Sequence, residues 1–586
     1  MHGGKMKTPL VVIRSVGAGL LRTNNQAALY STVLRRMTLL GVIVAVGVTI
    51  RVWNLNKESP YGDEIVSLQH LNAPDLATFL SRERHDDLPM TPLYFTIEYY
   101  WDRLAGGSLP AMRCLSLIFA AATMLMIYVL GSALYDTTAG LVASVCAALS
   151  ISQIYYAVEV RPYALVILLA LVSGYALWRG LHEGKRRWWA LNVAANILIM
   201  WAHLFATLFI FGQGCYLLAH WAREKTSRSF PSSTWERAAK PLLLWGGLQA
   251  PSVLLLFQWV RSINFAEFEV AAQWRDKMVH TYLMPLGDFL LFCGAGVPTF
   301  RDVTAFGGQH MGGIMWRIFL PILLCVFAAT LYRWWRRQPG QERTMSAAGR
   351  QEAASGDAFC FLFPWLVIPS AALFLISAGV YACHSSRYVI YGSIPFLIFV
   401  GAAVSFLRRP ALQILAVTFL ISLYSFNLYA HPGPWRHDFK SAAAFLQTHM
   451  SKRDTLVFYH LSGGLGLEYS MTLSNSTAGG KDGNEPGSGV LPATVKGMRE
   501  FTELLAYVNA RPDLASAAPI WLFISHHRDL EPETKQLEQA FGRNGQSVSK
   551  WQFGYVRPII LYRMAPRAPV QSIPSRRRLP TVQPPT

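Results

Sequence analysis

Ionisable side chains beside long apolar runs are the residues of this chain whose types suit chemistry. Asp63 and Glu64 follow Ser59, Pro60, Tyr61 and Gly62, a short way past the first apolar run. Glu159, Arg161 and Tyr163 stand where the third run ends, His203 between the fifth and sixth, and His384, Arg387 and Tyr388 between the ninth and tenth. A carboxylate takes a proton or holds a cation, a guanidinium holds an anion, and an imidazole serves as donor or acceptor. Ionisable groups at membrane boundaries often mark substrate sites, although long arginine side chains also reach for headgroups with no chemical role. The acidic pair by itself reads equally well as a solvated loop. Alternation of the spans puts every one of these groups on the side of Asp63, and the set as a whole points to function.

The elements that must position them are membrane helices. The chain has 586 residues, 52% of them hydrophobic, with 18 Trp and 32 Phe. Apolar runs of roughly 17–25 residues cross about 30 Å of hydrocarbon as helix, with all backbone hydrogen bonds closed inside the segment. Such runs fall at 37–53, 109–130, 141–155, 163–181, 188–202, 204–221, 242–260, 314–331, 361–383, 388–407 and 412–429. The expectation is a polytopic α-helical membrane protein of about eleven transmembrane helices. Residues 1–36 carry Lys5, Lys7, Arg14, Arg22, Arg35 and Arg36, which reads as a cytoplasmic start rather than a cleavable signal peptide. Alternate loops then collect Arg179, Lys185, Arg186, Arg187, Arg223, Lys225, Arg228, Arg333, Arg336, Arg337, Arg408 and Arg409 on the cytoplasmic side. The opposite side receives the acidic segment 54–108.

The formal net charge of +19 sits mostly at helix ends rather than along a groove, so it reads as topology and lipid contact and not as nucleic-acid binding. The seven cysteines (Cys114, Cys146, Cys215, Cys293, Cys325, Cys360 and Cys383) lie in or beside apolar segments without a CxxC pair, so neither a zinc knuckle nor a disulfide scaffold is indicated.

The composition turns polar at about His431. Residues 455–459, 519–524 and 556–562 read as strands, 498–509 and 531–541 as helices, 474–490 as a long loop, and the Pro- and Arg-rich stretch 566–586 as a disordered tail. The expected organisation is a cytoplasmic segment 1–36, a transmembrane domain 37–430 with a large first extracytoplasmic loop 54–108, a small extracytoplasmic α/β domain 431–565, and the tail. The sequence shows neither a nucleotide-binding glycine fingerprint nor an internal repeat.

Four groups of residues carry a resemblance. They are Tyr61-Gly62-Asp63-Glu64; Pro89-Met90-Thr91-Pro92-Leu93-Tyr94; the 101–117 segment with Arg113; and Tyr156-Ala157-Val158-Glu159-Val160-Arg161-Pro162-Tyr163. Together they resemble the signatures of membrane glycosyltransferases of the dolichyl-phosphate-mannose protein mannosyltransferase superfamily, of GT-C fold and glycosyltransferase 39-like, the bacterial branch most closely. Arg387-Tyr388 followed by Pro395 resembles the late Arg-Tyr motif of that group, and Trp435-Arg436-His437-Asp438 the opening of its extracytoplasmic domain. The family usually shows His-Pro-Pro where this chain has Leu88-Pro89-Met90-Thr91-Pro92, which leaves His85 and Asp86 as the nearby candidates for substrate contact.

The resemblance implies a catalytic first loop over a cavity open to the lipid, in the inner membrane of a bacterium, and a donor whose sugar hangs from polyprenyl phosphate. A hydroxyl acceptor needs a carboxylate to take its proton as it attacks the anomeric carbon, and Asp63 is the candidate general base. Direct attack inverts the anomeric centre. Arg161, Arg387 or a divalent cation (Mg, Mn or Zn) is placed to stabilise the leaving phosphate, with Tyr163, His203 and Tyr388 as further substrate-binding candidates. Glu64 and Glu159 either orient the acceptor or hold the metal, for which Asp63 and Glu159 are the first candidate ligands. The acceptor is an envelope lipid, a glycan or a protein. A multi-pass transporter and a noncatalytic envelope-assembly protein are the rival readings; the first predicts inverted repeats, which are absent from the sequence.

Overall fold

Apolar length decides where the helices of this protein run. The structure, a computed structural model, describes residues 9–60, 62–86, 91–227, 233–261, 347–379, 386–430, 437–451, 453–459, 466–467, 469–471, 494–498, 504–506, 519–525, 531–543, 547–553 and 559–565. Its contacts divide the chain into two units, one of residues 1–56 and 67–431, the other of residues 57–66 and 432–586.

The first unit is a polytopic helical membrane body. Seven described helices are long and apolar enough to cross a membrane: Tyr30–Asn54, Leu109–Leu134, Tyr163–Glu183, Leu204–Arg223, Leu243–Arg261, Ala354–Leu373 and Arg387–Ser405. A bent pair raises the number to eight at most, so the eleven spans expected from hydropathy are not reached among the described residues. The differences have physical causes. The run expected as one span at 141–155 is two helices, α6 (Thr137–Leu149) and α7 (Ile151–Ala157), bent by 64° at Ser150, which takes an extended backbone. The run at 188–202 is α9 (Arg186–Ala202), whose 17 residues include Asn192 and Asn196 and fall short in length. The run at 412–429 is α14 (Pro410–Ala430), apolar enough only as the shorter stretch Pro410–Phe426. The run at 314–331 lies outside the described residues.

The first span is the end of one long helix, α1 (Pro9–Asn54). What hydropathy shows as a loop at 54–108 is mostly helical: α2 (Gly62–His70), α3 (Leu76–Asp86) and α4 (Pro92–Ala105). Pro92 opens α4 where its missing N–H costs nothing, and Gly106 closes it at φ 73°, a left-handed position that a Cβ would strain. Gly62 starts α2 in helical conformation.

Small residues bring the next helices together. A Cβ on Gly131 of α5 (Leu109–Leu134) would come within 2.9 Å of the Gly140 Cα in α6. On the other flank of α6, a Cβ on Gly401 of α13 (Ser393–Ser405) would strike the Ala139 carbonyl oxygen. A neutral polar network ties α8 (Tyr163–Glu183), α9, α10 (Thr207–Ser227) and α11 (Ser233–Arg261). Asn192 Nδ2 and Gln213 Nε2 each donate to Ser173 Oγ at 2.9 Å, Asn196 Nδ2 donates to Gln213 Oε1 at 3.0 Å, and Trp245 Nε1 to Asn192 Oδ1 at 2.7 Å. In hydrocarbon, donors and acceptors satisfied between helices fix their packing where apolar side chains would slide. The remaining described helices of this unit are α12 (Ala347–Gly379), α13 and α14.

The second unit is a mixed sheet with helices. α15 (Phe439–His449) is capped by Asp438, whose Oδ1 accepts from the Ser441 N–H at 3.1 Å. Five strands follow: β1 (Thr455–Tyr459), β2 (Thr494–Met498), β3 (Ile520–Ile524), β4 (Ser547–Phe553) and β5 (Ile559–Ala565), with α16 (Glu531–Arg543) between β3 and β4. Their order is β2-β1-β3-β5-β4, parallel across the first three and antiparallel for β3-β5 and β4-β5. Alternation along the strands feeds two cores. Val457, Ile520, Leu522, Ile524, Ile560 and Tyr562 pack under Leu537 and Phe541 of α16; Leu456, Trp521, Phe523, Ile559 and Leu561 pack under Phe439, Ala442 and Leu446 of α15. Burial on both faces explains the unbroken apolar run of β3. The expected helix at 498–509 is corrected at its start, where Met498 ends β2, and β4 was not expected. The stretches 474–490 and 566–586 lie outside the described residues.

Candidate functional site

Three helix breaks of the membrane unit meet at one place. The first follows α7, where the Arg161 N–H donates to the Glu159 carbonyl at 2.9 Å in a three-residue turn and Pro162 starts α8. Ser116 of α5 donates its hydroxyl to the same Glu159 carbonyl, which pins that turn to the helix. The second break is the extended His203 at the end of α9, followed by a single 3₁₀ turn, Leu204–Ala206. The third is the 3₁₀ segment Ser386–Gly392 ahead of α13. Its Tyr391 hydroxyl donates to the Phe205 carbonyl at 3.2 Å and joins the second break to the third.

Aromatic rings line the meeting point. Tyr156 and Tyr163 lie 5.1 Å apart, Tyr163 and His203 5.7 Å, His203 and Tyr388 5.3 Å, and Phe205 stacks on Tyr388 at 4.9 Å between centroids. Arg387 Nη2 donates to the Tyr388 hydroxyl at 3.3 Å, and the Arg161 guanidinium stands 5.7 Å from the Phe95 ring. Glu159, Arg161, Tyr163 and His203 are buried, while Arg387 and Tyr388 are half-buried.

The charges are unequal. Arg161 and Arg387 both act on Tyr163 and on His203, with Glu159 as the carboxylate felt by Tyr163. Burial first, then Arg161 and Arg387, push the His203 imidazole down to about 3, so at neutral pH it is an uncharged donor-acceptor between two cations. Two guanidiniums, one carboxylate and a neutral histidine in an aromatic setting suit an anion carrying a polar ring: the charges hold the anion, and the ring faces hold the sugar-like part.

The structure therefore brings together Glu159, Arg161, Tyr163, His203, Arg387 and Tyr388. Asp63, half-buried, and Glu64, fully buried, form the acidic first turn of α2, a favourable place for negative charge, and belong with the second unit. His85 is exposed near the end of α3, and Asp86 is its last residue. Tyr61, residues 87–90, His384, Trp435 and Arg436 lie outside the described residues. Among the described residues no three His, Cys, Asp or Glu side chains gather as a metal-holding group. Sequence reasoning missed Phe205 and Tyr391, apolar-looking positions inside spans, and did not place Tyr156 in the site although it opens the Glu159-Arg161 motif.

Residues 89–234 match the family described as dolichyl-phosphate-mannose-protein mannosyltransferase. That stretch contains Glu159, Arg161, Tyr163 and His203. Comparison with curated proteins gives no match. Among solved structures, the apo form of ArnT from Cupriavidus metallidurans is 12% identical with a TM-score of 0.38, covering 90% of this chain and 98% of that one. The same protein bound to undecaprenyl phosphate gives 12% and 0.37, covering 89% and 97%. The apo Archaeoglobus fulgidus oligosaccharyltransferase gives 9% and 0.42, covering 84% and 70%.

Proposed function

We propose that this chain, which contains a dolichyl-phosphate-mannose-protein mannosyltransferase domain over residues 89–234, transfers a sugar from a polyprenyl-phosphate donor to an acceptor hydroxyl with inversion. The observation behind this reading is the pair Arg161 and Arg387, two cations around the buried, neutral His203. Such a pair neutralises a phosphate, and does so most strongly where water is scarce.

In the step, the acceptor oxygen bonds to the anomeric carbon as the bond from that carbon to the phosphate oxygen breaks. The electron pair leaves with the polyprenyl phosphate, whose growing charge Arg161 and Arg387 stabilise. The hydroxyl proton passes to the Asp63 carboxylate. Tyr163, His203 and Tyr388 hold the sugar and its phosphate by ring contact and hydrogen bonds, and Glu159 and Glu64 orient the acceptor. His85 and Asp86 contact the acceptor from the end of α3. The acceptor is a cell-envelope lipid, glycan or protein, reached on the extracytoplasmic side of a bacterial inner membrane.

The test uses the full-length protein in nanodiscs with a radiolabelled sugar on undecaprenyl phosphate. Transfer to an envelope extract, abolished by Arg161→Gln, is the expected result. Movement of the labelled lipid between leaflets with the sugar bond intact would overturn it in favour of a transporter.

A further inference from the structure

Arg51 is a charged residue inside the first apolar span, and nothing in the proposed reaction uses it. Its side chain is 1% exposed, so it does not reach for headgroups. Nη1 donates to the Ala148 carbonyl at 3.0 Å and to Gly47 of its own helix at 2.9 Å, and Nη2 donates to the Ala147 carbonyl at 3.0 Å. Ala147 and Ala148 are among the last residues of α6, next to the 64° bend at Ser150. In a straight helix their carbonyls would accept from the N–H groups of Ile151 and Ser152. The bend removes those partners, and the guanidinium replaces them both. A cation at a helix C-terminus also suits the dipole of α6.

The bend has a direct product. α7 leaves Ser150 and within seven residues delivers Tyr156, then the turn that carries Glu159 and Arg161. Ser116 holds that turn from the far side, and Arg113, one helical turn before Ser116, holds the end of the first span by donating to the Leu55 carbonyl at 2.7 Å. We propose that Arg51 is a positioning residue: its grip on the Ala147 and Ala148 carbonyls holds the α6–α7 bend that places Tyr156, Glu159 and Arg161 in the site. A planar fork is needed for this, because two nitrogens must reach carbonyls of successive peptide units and of α1 at once, which a lysine ammonium does with fewer bonds. The role in transfer rests on the proposed function; the grip on the bend does not.

The test compares wild type, Arg51→Lys and Arg51→Gln in nanodiscs, by cryo-electron microscopy of the α6–α7 angle and by kcat/KM per monodisperse molecule. In Arg51→Gln the 64° bend is expected to change and kcat/KM to fall on the order of 10²-fold, as displacement of a reacting group by an ångström does. Arg51→Lys, which keeps the charge and part of the bonding, is expected to fold at least as well as Arg51→Gln and to lie between it and wild type in both readouts. An unchanged angle in either variant, or a changed angle with wild-type kcat/KM, would overturn the proposal. A loss confined to the folded fraction, with normal kcat/KM in the molecules that fold, would also overturn it and leave Arg51 a stabilising residue only. If wild type transfers no sugar, the glycosyltransfer reading fails while the angle still decides whether Arg51 holds the bend.

Discussion

The Lys440 backbone N–H donates to Ser59 Oγ at 3.1 Å, a bond across 381 residues of sequence that ties the segment after the first span to the opening helix of the C-terminal unit. Both partners must then lie on one side of the bilayer. With Ser81→Cys and Thr448→Cys introduced singly into a cysteine-free background, a membrane-impermeant thiol reagent added to intact cells is expected to label both. Labelling of one site alone would break the topology.

Arg387 is expected to carry part of the donor phosphate affinity. Arg387→Ala should weaken binding of undecaprenyl phosphate by about 1.5–3 kcal/mol, the size of a hydrogen bond to a charged group. Calorimetry on protein in nanodiscs measures it; equal affinity in wild type and variant would reduce Arg387 to a headgroup contact.

Asp63 is expected to take the acceptor proton. Asp63→Asn keeps shape and most hydrogen bonding, so donor binding should survive while turnover falls by about 10²–10⁴-fold. Near-wild-type turnover in this variant together with its abolition in Glu159→Gln would transfer the role to Glu159.

His203 makes stability depend on pH. Its folded-state value of about 3 is below the ordinary 6.5, so between these limits the unfolded chain binds the extra proton. Stability from this group is therefore complete above the ordinary value and falls with acidification toward the folded value, by about 1.4 kcal/mol per pH unit. Thermal midpoints from neutral pH to about 4.5 should drop less steeply in His203→Gln than in wild type. Parallel curves would show that His203 is not held neutral.

Asp454 anchors the sheet of the C-terminal unit. The buried carboxylate accepts from Trp521 Nε1 at 2.8 Å and from the Ser451 hydroxyl at 2.9 Å. Asp454→Ala leaves the indole N–H buried without its acceptor and should destabilise the unit by about 1–3 kcal/mol, seen as earlier protease cleavage after His449 on warming. An unshifted cleavage temperature would mean that water replaces the carboxylate.

The membrane class of the protein was legible because a span needs only apolar length, and strands β1 and β3 because their runs are short and bounded. Glu159, Arg161 and His203, which the structure gathers, stand out in the sequence because hydropathy has no use for them where they lie. The break at Ser150 was not legible: 141–155 holds no charge, Gly or Pro to mark it, and the residue that permits the bend, Arg51, lies about a hundred positions earlier, beyond any local pattern. Helix α9 reads as a span because Asn192 and Asn196 stand singly among Ala, Val, Ile and Leu without a charge to break the run, and β4, with Ser, Lys and Gln between its apolar residues, lacks the aliphatic density that marks β3. The grouping of Asp63 with the C-terminal unit depends on pairing across most of the chain, which no spacing records.

The close seating of Gly401 on Ala139 bears on how this protein tolerates change. α13 continues directly from the segment that carries Arg387 and Tyr388, so it acts as a handle on that end of the site. Even one methyl group at position 401 would have to lift this handle from α6, and so would disturb the segment of Arg387 and Tyr388 with neither residue changed. A larger residue at 401 is therefore accommodated only if the Ala139 turn of α6 gives way with it, so the two positions are bound together from inside the hydrocarbon.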